Sequence, residues 1–339
     1  MTKPFASSAD LGEKAATLEE LADGVYAYTA QGDPNVGAVV GEEAVLCVEA
    51  RATPYMAQKW IDELRTRTDV PIRDLVLTHY HAVRTLGAAA FGAERVISSR
   101  TTLDLINERG QQDWESEAGR MPRLFAGAEV SPAPSGSTQQ ERTGLSRAGS
   151  QTIPGLTIPT DTFVDRMTVD LGGRVVELIH LGRGHTEGDI VVWLPEERIC
   201  FAGDLVEGEA ALYTGDAIHL EWMSSTLDGV AELGAEIMVG GRGRVMRGAA
   251  EVRAGIDQTR GFLQTMRAQV ESVLVRGGTL REAFQAAHGA LEPAYGAWPI
   301  FEHCMPFNVS RLWDELSGIE RPRIWTAERD RQVWDELQN

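Results

Sequence analysis

Two histidines stand one residue apart at the end of an apolar run, His79 and His81 in LVLTHYHAVRTLG. Imidazole nitrogens bind divalent metals, and three protein ligands plus a water make a hydrolytic zinc site. On an extended segment, side chains two apart point to the same side, so one ion can bridge both rings. The plain alternative is one solvent-facing and one hydrogen-bonded histidine. A third histidine, His185, lies in the glycine-flanked stretch GRGHTEGD. Asp204 closes the strand-like run ERICFAGD, and Arg242 follows the run IMVGG. In each case an apolar run ends and a polar group follows. A rigid sheet can present such ends to a single ligand.

Other polar groups rank lower. Asp189, four residues past His185, reads as a turn residue, and His180 as a packed histidine at a strand end. Tyr213, Asp216 and His219 share a stretch after Asp204 that could line a pocket. So could His303, with Trp298, Phe301 and Phe307 around it, although aromatics at that density also suit a core.

The elements that must position these groups are short. GVYAYTA, VGAVVG and AVLCVEA read as strands joined by tight turns. PYMAQKWIDELRTRT has helical spacing, RDLVLTHY is a buried strand, and TTLDLINERGQQDWESEAG is a helix. Residues 131–150 are rich in Ser, Gly and Pro and predict a mobile surface loop. Strands resume with DTFVDRMTVDLGG, RVVELIHLG, DIVVWLPEERICFAGD and EIMVGG, with a helix over 220–235. From about residue 249 the pattern is helical. The expected layout is a mixed domain over 1–248 and a helical region over 249–339.

The chain has 339 residues and a formal net charge of -18. An acidic balance argues against a nucleic-acid binder. No apolar run approaches the ~20 residues of a membrane span. The start, MTKPFASSADLGEKAATLEE, lacks the apolar stretch of a secretory signal, so a cytoplasmic address is expected. Cys47, Cys200 and Cys304 are widely spaced and suit reduced thiols.

The order of His79-Tyr80-His81, GRGHTEGD, ERICFAGDLV and IMVGGRGRV resembles the metallo-β-lactamase superfamily of hydrolases, over roughly residues 20 to 248. The resemblance implies an α/β fold, the four-layer αββα sandwich, here with a helical C-terminal extension. It implies a first metal site of His79, His81 and His185, with Asp204 reaching in as the bridge. The family's first block reads His-x-His-x-Asp-His, and its last ligand is a histidine. This chain has Val83, Arg84 and Arg242 at the corresponding positions. An arginine cannot ligate a cation. One divalent metal is therefore expected, zinc first and iron second, with the second site lost. Arg84 and Arg242 have two open roles. They could bind an anionic part of the substrate, or pair with Asp204 and nearby acids.

The expected function is hydrolysis of an ester, lactone, thioester or activated aryl ether of a small molecule. Asp204 would orient or deprotonate the water, and Tyr213, His219 and His303 are candidate substrate contacts. Homo- or hetero-oligomers are expected. The alternative is a metal-poor, non-catalytic subunit that scaffolds an active partner.

Overall fold

The computed structural model describes residues 16–30, 34–120, 122–126 and 154–338, and the loop expected at 131–150 lies outside them. The first sheet runs β1 (Ala16–Ala22), β2 (Val25–Ala30), β3 (Val36–Val40), β4 (Val45–Val48), β5 (Ile72–Val76), β6 (Arg95–Ser99) and β7 (Asp161–Phe163). Neighbours are antiparallel as far as β4 and parallel from there to β7. The second sheet holds β8 (Arg166–Asp170), β9 (Val175–Ile179), β10 (Val191–Leu194), β11 (Ile199–Gly203), β12 (Ile237–Gly240) and β13 (Met246–Arg247), also in sequence order. Its one parallel pair is β11 with β12.

Strand periodicity makes the layers. Side chains of a strand alternate between two faces. In β4, Leu46 and Val48 enter one apolar cluster while Val45 and Cys47 enter another. In β11, Ile199 and Phe201 face the first cluster, and Cys200 and Ala202 face a third. The shared cluster lies between the sheets and joins Val39, Val76 and Ile97 to Leu178, Val192 and Val239. Strands buried on both faces need apolar residues throughout, which is why VLCV and ICFAG carry no polar alternation.

Helices cover both outer faces. Crossover helix α1 (Pro54–Arg65) begins at Thr53, whose hydroxyl accepts from Met56 N at 3.2 Å, and it buries Trp60, Ile61 and Leu64. A short α2 (Ala82–Thr85) follows β5. The helix expected from TTLDLINERG onward is α3 (Arg100–Leu105) and α4 (Gln111–Arg120), joined by a π-helical turn over Ile106–Gly110. Then comes α5 (Pro122–Phe125). Between β11 and β12, α6 (His219–Glu221) and α7 (Leu227–Glu232) flank a second π-helical turn. The C-terminal region is α8 (Ala249–Val275), α9 (Leu280–Tyr295), α10 (Phe301–Leu316) and α11 (Ala327–Gln338). Ile256, Phe262 and Leu263 of α8 and Met305, Val309 and Leu312 of α10 share the third cluster with Trp193, Cys200 and Met238. The helical region is therefore packed into the second sheet's outer face. All three cysteines are buried, as their apolar surroundings suggest for Cys47 and Cys200. No helix among the described residues is long and apolar enough to cross a membrane.

The sheets touch where β3 has no side chain. A Cβ on Gly37 would lie 2.1 Å from the ring of Phe201. Overpacking of this kind costs about 1–3 kcal/mol. Gly37→Ala should lower the urea midpoint accordingly and disturb β11, the strand that delivers Asp204. An unchanged midpoint would show that the sheets are not in contact there.

Candidate metal centre

Four strand ends and one loop converge. β5 continues into Thr78, His79 and His81, and α2 then carries Arg84. Asp204 follows β11, Arg242 follows β12, and Glu49 follows β4. The β9–β10 loop carries His185. That loop is braced by Asp189, whose carboxylate accepts from Thr186 N at 2.8 Å and from Thr186 Oγ at 2.7 Å. His180 packs beside it, with Nδ1 2.7 Å from Asp189 O.

The three imidazoles meet edge to face, with ring centroids 4.7–4.9 Å apart. One nitrogen of each ring is fixed from outside. His185 Nδ1 donates to Tyr213 O at 2.8 Å. His81 Nε2 donates to Asp216 Oδ2 at 3.0 Å. His79 Nδ1 lies 3.0 Å from the Thr78 hydroxyl, whose single proton goes to Glu49 Oε1, so His79 is the donor there. A neutral imidazole has one donor and one acceptor nitrogen. The lone pairs of His79 Nε2, His81 Nδ1 and His185 Nε2 therefore all point inward, and these atoms lie within 4.8 Å of one another. His81 Nδ1 and His185 Nε2 are only 2.9 Å apart. His79 Nε2 is buried with no hydrogen-bond partner. Burial drives His185 down to about 3 and His79 well below the usual imidazole range. Three imidazole lone pairs facing one point repel each other unless a cation lies between them. The donor set fits one divalent metal, and the outer hydrogen bonds are those that orient metal-binding histidines.

Asp204 adds oxygen at the same place. Its Oδ2 is 3.4 Å from His185 Nε2 and 3.9 Å from His79 Nε2. Behind it stand the two arginines. Arg84 Nη2 donates to Asp204 Oδ1 and to Gly241 O at 2.7 Å, while Nη1 donates to Asn35 O at 3.0 Å. Arg242 Nη1 donates to Asp204 Oδ2 at 2.9 Å. Burial opposes ionisation of Asp204, but Arg84 and Arg242 override it and hold the carboxyl well below its usual range. Gly241 permits the arrangement, since a Cβ there would lie 2.1 Å from Asp204 Oδ1. Asn35 ties down the same turn through Gly240 O and Gly243 O. Glu207 accepts from Arg242 N, and Glu49 accepts from Thr78. Burial pushes Glu49 up to about 7 and Glu207 up to about 8.

Of the residues singled out from sequence, His79, His81, His185, Asp204, Arg84 and Arg242 come together. Tyr213 borders them, its ring 5.4 Å from that of His81. Arg84 is fully buried and commits three of its hydrogen bonds to Asp204, Asn35 and Gly241, so it clamps the carboxylate rather than a substrate anion. His219 stands apart from the cluster. It is enclosed, with Nδ1 2.8 Å from Glu315 and Nε2 2.9 Å from Thr214, and neither nitrogen is left for a substrate. His303 lies on α10 against Phe307, outside the cluster. Sequence reasoning missed Glu49, Tyr80, Arg109 and Glu207. Glu49 follows an apolar strand just as Asp204 does, a signal that was there to find. Arg109 projects from the π-helical turn to Asp216 at 3.0 Å and Tyr80 at 2.8 Å, and nothing local in the sequence marks it.

A family model described as the metallo-beta-lactamase superfamily matches residues 50–242. A linear primary-alkylsulfatase from a Pseudomonas species is 24% identical over 237 residues, covering 64% of this chain and 43% of that protein. A type 2 metallo-beta-lactamase from Bacteroides fragilis is 40% identical over 79 residues, 22% of this chain and 31% of the relative. The chain thus spans less than half the length of these two relatives. A metallo-beta-lactamase structure from Pontibacter korlensis superposes with a TM-score of 0.53 at 17% identity, covering 73% of this chain and 99% of that one. At that identity the likeness speaks for the fold.

Removing one partner of a buried ion pair costs about 3–5 kcal/mol. Arg84→Met should destabilise the protein by that amount in urea denaturation, because Asp204 keeps one guanidinium in place of two. A loss under about 1 kcal/mol would mean that Asp204 does not depend on Arg84.

Proposed function

The chain belongs to the metallo-β-lactamase superfamily, and on that footing we propose that it is a hydrolase working through a single divalent metal, zinc first and iron second. The observation that carries this reading is the convergence of three outward-anchored imidazoles whose remaining nitrogens face one another. A divalent metal held by His79, His81 and His185 would supply a Lewis acid and lower the pKa of water there. The protein's own groups do the rest. Asp204 lies beside the three nitrogens as an acceptor that stays ionised. A general base works best when its pKa lies near the working pH. Asp204 is held far below that, so of the two roles expected from sequence we assign it the orienting of water and the completion of the ligand set. Arg84 and Arg242 supply the fixed positive charge that a second metal would otherwise bring to Asp204.

The reactive bond is an ester, lactone, thioester or activated aryl ether, and the alkylsulfatase relative adds sulfate esters to that set. The rings of Tyr213, Phe307 and Trp325 run outward from His81 at spacings of 5.4, 5.6 and 4.8 Å. They offer apolar surface to the non-reacting part of a small substrate.

Protein purified without chelator should carry one metal per chain by elemental analysis. It should hydrolyse at least one member of a panel of nitrophenyl esters, nitrophenyl sulfate, lactones and thioesters. His81→Ala should lose the metal and at least about 100-fold in activity, more than the loss typical for an outer-shell partner, while keeping the fold. Two metals per chain would contradict the single-site reading. A folded protein with no metal and no hydrolysis would favour the scaffolding subunit.

A further inference from the structure

Two of the three outer anchors of the metal centre come from one irregular segment, residues 205–218. Tyr213 O holds His185 Nδ1, and Asp216 holds His81 Nε2. That segment belongs to no strand, so its backbone groups need partners elsewhere. Many of the partners lie beyond residue 300. Asn308 of α10 is fully buried, and its amide spans the turn. Its Nδ2 donates to Leu212 O at 2.8 Å and its Oδ1 accepts from Thr214 N at 2.6 Å. These two bonds straddle Tyr213. Trp325 Nε1 donates to Gly215 O at 2.9 Å, and Arg311 Nε donates to Ala217 O at 2.8 Å. Glu315 accepts from His219 N at 3.0 Å and from Leu220 N at 3.2 Å, closing the far end.

We propose that Asn308 is a positioning residue of the metal centre: from the C-terminal helical region it sets the Tyr213 carbonyl that aims His185. The inference rests on reading the three histidines as a metal site. A carboxamide suits the task because it offers a donor and an acceptor side by side, one for each peptide flanking Tyr213. Without it, Leu212 O and Thr214 N lose buried partners, and the carbonyl between them loses its fixed direction. His185 would then lose its fixed aim, and the ion would be held less tightly. The C-terminal helices thereby become part of the site, although they supply none of the three imidazoles.

The test uses the full chain, stripped of metal and titrated with Co²⁺, whose visible absorption reports ligand geometry. Asn308→Ala should weaken Co²⁺ binding by about tenfold, the lower end of the effect of losing an outer-shell partner, and shift the absorption bands. Trp325→Phe keeps the ring and removes one hydrogen bond to the same segment, so it should act in the same direction with smaller size. It decides the matter if Asn308→Ala does not fold. Thr279→Ala removes the cap of α9, where Thr279 accepts from Glu282 N. It should lower the thermal midpoint and leave affinity and spectrum as in the parent. Parent-like affinity and spectrum in Asn308→Ala, or in Trp325→Phe where that variant decides, would overturn the inference alone. So would equal weakening by Thr279→Ala, which would make the effect one of general stability. A parent chain that binds no Co²⁺ would overturn both this inference and the metal reading beneath it.

Discussion

The carboxylate of Asp204 sits between the guanidiniums of Arg84 and Arg242, and the architecture around the centre is arranged to keep it there. Taking a carboxylate out of water costs several kcal/mol even after relaxation. Each close pair at ~3 Å contributes roughly 5–6 kcal/mol of attraction at an effective dielectric of about 20. The two guanidiniums also repel each other and are themselves desolvated, so the triad adds little net stability. What it does supply is position. Arg84 reaches Asp204 only because α2 turns it inward, Asn35 and Gly241 accept its remaining hydrogen bonds, and Gly241 has no side chain in the way. Three strand ends, those of β5, β11 and β12, are locked together through one carboxylate.

The consequence for chemistry is a division of labour. The histidines turn their unanchored nitrogens toward one another, and the charged groups stay paired just behind them. An ion placed among the imidazoles sees one ionised oxygen close by and two arginines beyond it. The arginines make a second cation beside Asp204 electrostatically unfavourable, and none of Val83, Arg84 and Arg242 offers it a ligand atom. Glu49 and Glu207, pushed toward neutrality by burial, leave the local charge close to balanced.

Much of this is written locally in the chain, and some of it is not. The runs VLCV, LVL and ICFAG mark strands buried on both faces, and the polar residue after each marks a convergent edge. His79, His81, His185 and Asp204 are legible for that reason, because strand ends of one sandwich meet by topology. The arginines are legible as departures, but their orientation is not, since it depends on Asn35 and Gly241 more than a hundred residues apart in part of the network. His219 looks like a pocket residue in ALYTGDAIHLEW, yet Glu315, 96 residues away, captures it. The beginning of α10 is hidden because Pro306, a residue type that usually ends or kinks a helix, lies inside it. With that start obscured, nothing in the sequence ties Asn308 to the segment it holds. Arg109 is likewise placed by a π-helical turn that periodicity alone cannot register.

The central claim is that one metal, and not two, occupies this centre, with paired guanidiniums standing where a second would be. Its most direct test is anomalous X-ray scattering at the zinc edge from crystals grown with excess zinc. The account predicts one peak, bounded by His79 Nε2, His81 Nδ1 and His185 Nε2, with Arg84 and Arg242 still paired to Asp204. A second peak beside Asp204, with either arginine displaced, would contradict it.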